Sequence, residues 1–282
     1  MTRDRIRHAF TMVELVMVIA VLGIVSSIGA SIVAQVYDSY VTERALYRAN
    51  IKTELALTQI ANRLRYAIPE TMGVRASTGA GVAFIKLTEN ATDQNDVFQW
   101  VSYDGDSFEA VTSAADRRPG WSGFVDLNSP STNKDKLSTP GSNLNLAYTI
   151  IHNLSGGTKT LSDAELYFPD SNGSSTSVDD LNATTLTLDN NATTIYERYK
   201  LAWSSYALVK DANGDLRLYY NFAPVLGAAI PTPTATNNQI LLRHIDSLRF
   251  RGTEGALRVK LCVEENLTQT SAVHSCKEKV IF

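Results

Sequence analysis

Ala9-Phe10-Thr11-Met12-Val13-Glu14-Leu15-Val16 opens the stretch that decides the fold, because the run that continues from it to Tyr37 carries no Asp, Glu, Lys, Arg or His after Glu14. About 23 helical residues at 1.5 Å each span roughly 34 Å, enough to cross a hydrocarbon core. The segment therefore reads as a membrane helix. A carboxylate in lipid is costly unless paired, so Glu14 calls for a partner. Upstream, Arg3, Arg5, Arg7 and His8 form a basic leader that holds this end in the cytoplasm. An ordinary secretory signal has a shorter apolar region, and Glu14 falls where that region should be apolar. A plain bitopic anchor explains the length and the arginines but leaves Glu14 unexplained.

This arrangement resembles the precursors of type IV pilins and type II secretion pseudopilins. In that family a prepilin peptidase cuts before Phe in a Gly-Phe-Thr-Leu-Ile-Glu-type motif and N-methylates the new terminus. The matching residues here run from Ala9 to Glu14, with Ala9 standing where the family usually has Gly. The resemblance implies a cut between Ala9 and Phe10, methylation of Phe10 and a subunit-docking role for Glu14. It also implies the partners: prepilin peptidase, other pilins or pseudopilins, an inner-membrane assembly platform and membrane lipid. The expected location is the bacterial inner membrane, single-pass, with the globular part in the periplasm, and then a pilus or pseudopilus. Gly23, Ser26, Ser27, Gly29, Ala30 and Ser31 would let neighbouring helices approach closely.

The helix should continue beyond the membrane. Asp38 to Ala67 holds no Gly or Pro and is rich in good helix formers. Tyr40, Tyr47, Ile51 and Leu55 share one stripe, and Leu57, Ile60, Leu64 and Ile68 continue it with a small rotation. This stripe is expected to bury against the globular domain. Pro69 biases Ile68 away from helix, so the helix is expected to end there. The chain thus divides into a leader (1–9), a transmembrane helix (10–37), its amphipathic continuation (38–68) and a β-rich globular domain (69–282).

After Pro69 the pattern changes to short alternating runs. Val82 to Leu87, Val97 to Tyr103, Ile240 to Arg251 and Ala256 to Val263 read as strands, and Asp104-Gly105-Asp106 reads as a turn. The strongest hairpin signal is Tyr206 to Val209 and Leu216 to Tyr220 around Asn213-Gly214. Residues 116–141 and 169–182, rich in Ser, Thr, Asn, Asp, Gly and Pro, read as surface loops. The predicted class is α+β, a long helix packed against an antiparallel sheet. The C-terminal third also resembles larger minor members of the family, where such a hairpin and a Leu-Cys…Cys-Lys-Glu-Lys ending recur.

A formal net charge of −3 and a pI near 5.8 give no bulk footprint for nucleic acid. Roughly 210 residues after the helix fit one large domain, whereas major pilins of the family are much smaller. Cys262 and Cys276 are the two cysteines, and an oxidising compartment makes a disulfide between them the economical assignment. Two thiols with His274 match no zinc spacing. Asp211-Ala212-Asn213-Gly214-Asp215 superficially resembles the start of a calcium loop but lacks its closing Glu, and a hairpin turn explains it better. By the family resemblance Asp179, Asp180 and Asp189 are calcium candidates, with solvated carboxylates the preferred reading. The four histidines are scattered, and no catalytic, metal or cofactor motif emerges. The leading expectation is a minor pilin or pseudopilin, not an enzyme. The rival is a membrane-anchored periplasmic enzyme or ligand sensor, which predicts a pocket with convergent ionisable groups.

Overall fold

The computed structural model describes residues 11–79, 82–87, 96–169, 171–189, 194–234, 237–253, 256–267 and 271–281. Ala9, Phe10 and the basic leader lie outside them. Helix α1, Met12–Leu64, spans 53 residues. Thr11 caps it, its hydroxyl accepting the Glu14 backbone N–H at 3.3 Å.

The helix ends at Leu64, short of the expected Ile68, because the chain is captured by a strand. Tyr103 N–H donates to the Tyr66 carbonyl at 2.9 Å, Ala67 bridges Ser102, and Ile68 N–H donates to the Val101 carbonyl at 2.9 Å. Strand hydrogen bonds thus replace the last helical ones before proline is reached. Pro69 then opens a 3-10 turn, Pro69–Thr71, where its missing N–H costs nothing.

Among the described residues the strands form three antiparallel sheets. The first contains β1 (Gly73–Arg75), β2 (Ile85–Lys86), β3 (Val97–Ser102), β9 (Ser204–Lys210), β10 (Leu216–Phe222) and β11 (Asn238–Leu242), in the order β11-β10-β9-β3-β1-β2. The second is the meander β12 (Ile245–Thr253), β13 (Ala256–Asn266) and β14 (Ala272–Ile281). The third contains β4 (Lys136–Ser138), β5 (Glu165–Tyr167), β6 (Ser175–Asn182), β7 (Thr185–Leu188) and β8 (Lys200–Ala202), in the order β4-β7-β6-β5-β8. Two short helices, α2 (Gly105–Glu109) and α3 (Leu144–Leu154), complete the fold.

Alternation along β3 explains how the first sheet is sandwiched. Phe98 and Trp100 enter a core with Leu57, Ile60 and Leu64 of α1, while Val97 joins Val209, Tyr219 and Phe222 on the opposite face. A separate core forms around Trp121, Val125, Leu137, Leu144, Ile151, Leu166, Leu186 and Leu201. The fold is α+β, a long N-terminal helix with antiparallel sheets, consistent with a pilin-like fold.

Several local expectations are corrected. The expected loops at 116–141 and 169–182 contain β4 and β6, and they contribute Trp121, Val125, Leu137 and Val178 to the second core. Composition misled there because a few apolar side chains, spaced among Ser and Thr, carry the burial. Asp104 to Asp106 is the start of α2, with the Asp104 carboxylate accepting the Ser107 N–H at 3.1 Å as N-cap. The run from Ile240 to Arg251 is broken at His244, whose φ of 57° turns the chain from β11 into β12. Only Ile85–Lys86 of the stretch expected from Val82 to Leu87 pairs as a strand.

The hairpin expected around Asn213-Gly214 is present as β9 and β10. Gly214 takes φ 77°, a conformation that favours glycine, and the Asp211 side chain accepts the Asn213 and Asp215 N–H groups at 2.9 Å each. Its second oxygen pairs with Arg217 at 2.8 Å. The carboxylate that looked calcium-like is thus committed to closing the turn.

Candidate functional site: an unpartnered helix

Every residue of α1 from Met12 to Tyr40 is exposed, including Leu15, Ile19, Leu22, Ile28 and Val36. An apolar surface of this length is not viable in water and fits a membrane span. Glu14 makes no ion pair with any described residue. A Cβ placed on Gly23 or Gly29 would meet nothing within 4 Å, so among the described residues no other element packs on these two glycines.

The second half of α1 buries a different stripe from the one read in the sequence. Tyr40, Tyr47, Ile51 and Leu55 stay outside, at 59%, 67%, 41% and 58% exposure, while Ala45, Ala49, Thr53, Ala56, Leu57, Ile60 and Leu64 face the domain. Leu57, Ile60, Leu64 and Ile68 bury as the sequence suggested. The correction has a steric cause: the β13–β14 hairpin lies close against the helix, and only small side chains fit at 45, 49, 53 and 56. Periodicity weighted by hydrophobicity selects the large residues and overlooks an alanine face.

Polar pairs fix the register of that contact. Ser275 Oγ donates to Asn50 Oδ1 at 2.7 Å, Lys277 Nζ to Glu54 Oε2 at 3.0 Å, and Lys279 Nζ to Thr58 Oγ1 at 3.4 Å. Two strand residues advance about 6.6 Å and four helix residues about 6 Å, so β14 and α1 stay in step over three pairs. Lys52 adds a bond to Glu265 on β13 at 2.6 Å. Cys262 and Cys276, register partners in β13 and β14, are joined in a disulfide. The bridge therefore fastens the hairpin on which the helix lies.

Little in the globular part suggests catalysis. Among the described residues, no three His, Cys, Asp or Glu side chains converge as a metal site would require, and of the acidic residues read as calcium candidates the Asp180 side chain lies outside those described. His152 stacks on Tyr148, His244 occupies a turn, and His274 lies opposite Glu264 on the hairpin. Burial pushes the Asp104 carboxyl up to about 6, against its cap bond to Ser107. Its Oδ2 has no partner at hydrogen-bonding geometry. No nucleophile or base is aligned with it, and its position explains it as a helix cap.

Residues 4–30 match the family profile described as the prokaryotic N-terminal methylation motif. The chain carries a prepilin-type N-terminal methylation motif, which with the apolar helix fits a membrane-anchored, single-pass protein and supports a member of the type IV pilin and pseudopilin family. Searches among curated proteins and among solved structures return no match. The motif implies processing by prepilin peptidase and assembly with other pilins, a structural subunit's role rather than an enzyme's.

Proposed function

We propose that this protein is a minor subunit, assembled into or priming a type IV pilus or a type II secretion pseudopilus. The observation that carries the reading is the exposed helix surface: its apolar half, the small-residue cluster and the stripe of Tyr40, Tyr47, Ile51 and Leu55 are all exposed. Lipid satisfies the first, and neighbouring helices satisfy the other two. Cleavage between Ala9 and Phe10 would leave an amino group whose ordinary pKa near 8 keeps it mostly cationic at neutral pH. Pairing of the Glu14 carboxylate with the Phe10 amino group of an adjacent subunit removes two desolvation penalties at once and sets axial register. The globular domain then lies in the periplasm, opposite the basic leader.

Size supports the minor role. The part beyond α1 carries a second hydrophobic core and its own five-stranded sheet, a bulk that repeated close packing along a thin shaft poorly accommodates. Quantitative immunoblotting of sheared, purified filaments is the test. A few copies per filament, together with loss of assembly or secretion on deletion, are expected. Equal abundance with the principal subunit, or intact filaments and secretion after deletion, would overturn the proposal.

A further inference from the structure

A cleft of about 590 Å³ lies where the end of α1 meets the second core, within the size range of small-ligand sites. Trp121, Tyr167 and Tyr199, all nearly fully buried, contribute to its lining, and Tyr103 and the half-exposed Phe108 add aromatic faces nearer solvent. Phe108 lies 4.8 Å and Tyr103 6.2 Å from the Trp121 ring, so the aromatic groups form one contiguous cluster. The walls are tied together. Tyr199 N–H donates to the Gly123 carbonyl at 3.1 Å, Val125 N–H to the Glu197 carbonyl at 2.8 Å, and the Trp121 indole N–H to the Asp104 carbonyl at 2.8 Å.

The charge on this cleft is lopsided. Arg198 and Lys200 flank the buried Tyr199 on an extended segment and are both exposed, and Arg65 joins them from the C-cap of α1. None of the three makes an ion pair with a described residue, and Lys200 rests 5.4 Å above the Tyr103 ring. Among the described residues Glu70 is the one carboxylate in the lining, which also includes Ser122 and Gly123. Three cations without a described ion-pair partner on one cleft, one of them over an aromatic face, favour an anion there. Donors, an acceptor and flat apolar faces occur together, which suits a ring that is hydroxylated on its edge and acidic at one substituent better than a purely apolar molecule.

We propose that this cleft binds acidic saccharide units, with the sugar carboxylate on Arg65, Arg198 and Lys200 and a ring face against Phe108 and Tyr103. The site would make the subunit a binding element as well as a building block, and it stands apart from the assembly face on α1. The test uses the full chain in detergent micelles, titrated calorimetrically with an oligogalacturonate, a neutral oligogalactoside of the same length and a heparin fragment. Saturable binding of the oligogalacturonate is expected, with the neutral sugar at least about tenfold weaker, the scale of one or two charged hydrogen bonds. The exposed double variant Arg198→Gln/Lys200→Gln, and separately Phe108→Ala, should each weaken binding by a similar factor while melting like the parent. Absence of binding, equal binding of the neutral sugar, or parental affinity in either variant would overturn the proposal. Heparin binding as tightly as the oligogalacturonate, with no effect of Phe108→Ala, would also overturn it, by reducing the cleft to a non-specific cationic patch.

Discussion

Asp104→Asn is expected to stabilise the protein at neutral pH. The wild-type carboxyl titrates at about 6 in the folded chain against an ordinary 3.8, chiefly because burial disfavours its anion. A carboxyl raised in this way binds more protons folded than unfolded between those values. Its contribution is therefore fully present below pH 3.8, declines as pH rises through about 6, and stays lost above it. At 1.36 kcal/mol for each pH unit, the difference at pH 7.5 is about 3 kcal/mol. Asparagine is an equally good helix cap, and the charge on the Ser107 hydrogen bond is already counted in the value of about 6. The expected gain is about 3 kcal/mol, or roughly 6–12 °C in Tm for a domain of this size. Thermal melts of both full-length proteins in detergent, followed by tryptophan fluorescence at pH 4 and pH 7.5, measure it. Other carboxylates titrate in the same window, so the quantity to read is the gap between variant and parent. A gap that opens with pH supports the reasoning; a gap of the same size at both pH values would refute it.

Other outcomes follow from the helix and its hairpin. Ala49→Leu places a larger side chain where the parent residue is fully buried against β13 and β14, and it should cost about 1–3 kcal/mol in the same melts. Tyr47→Ala, on the exposed stripe, should leave the melting curve within about 0.5 kcal/mol of the parent while lowering incorporation into filaments; a stability loss as large as that of Ala49→Leu would show that the stripe is buried after all. Replacing Cys262 and Cys276 together by Ser should remove about 3 kcal/mol, given a sequence separation of 14, and an unchanged melt would show that the hairpin needs no fastening. N-terminal mass spectrometry of the mature protein should find Phe10, methylated, whereas an intact Met1 or a cut after Ser31 would contradict the processing expected at Ala9-Phe10.

Some of this architecture could be read from the sequence because it rests on local rules. The long helix follows from an uncharged run joined to a breaker-free one, and the β9–β10 hairpin from Asn213-Gly214 between alternating strands. The pairing of Cys262 with Cys276 rested on compartment and count, and the register of β13 against β14 is its structural basis. What remained hidden depends on contacts distant in sequence. The alanine face of α1 is buried because a hairpin more than two hundred positions later lies against it, as the Asn50–Ser275 bond records. The helix stops at Leu64 because β3 supplies alternative hydrogen bonds, and no residue near 64 signals it. The second core escaped notice because Trp121, Val125 and Leu137 are sparse among turn residues. For the same reason the aromatic cleft had no linear signature: its lining comes from separated segments that only the fold assembles.

Glu14 is where the assembly account is most exposed, since its carboxylate has no partner among the described residues of its own chain. Photo-cross-linking from the Tyr47 position on the exposed stripe, in cells carrying the parent or Glu14→Ala, compares contact with neighbouring subunits directly. The account predicts that the Ala variant is still cleaved and still membrane-inserted, yet gives a strongly reduced yield of cross-linked, functional assembly. Parental yields from Glu14→Ala would contradict it.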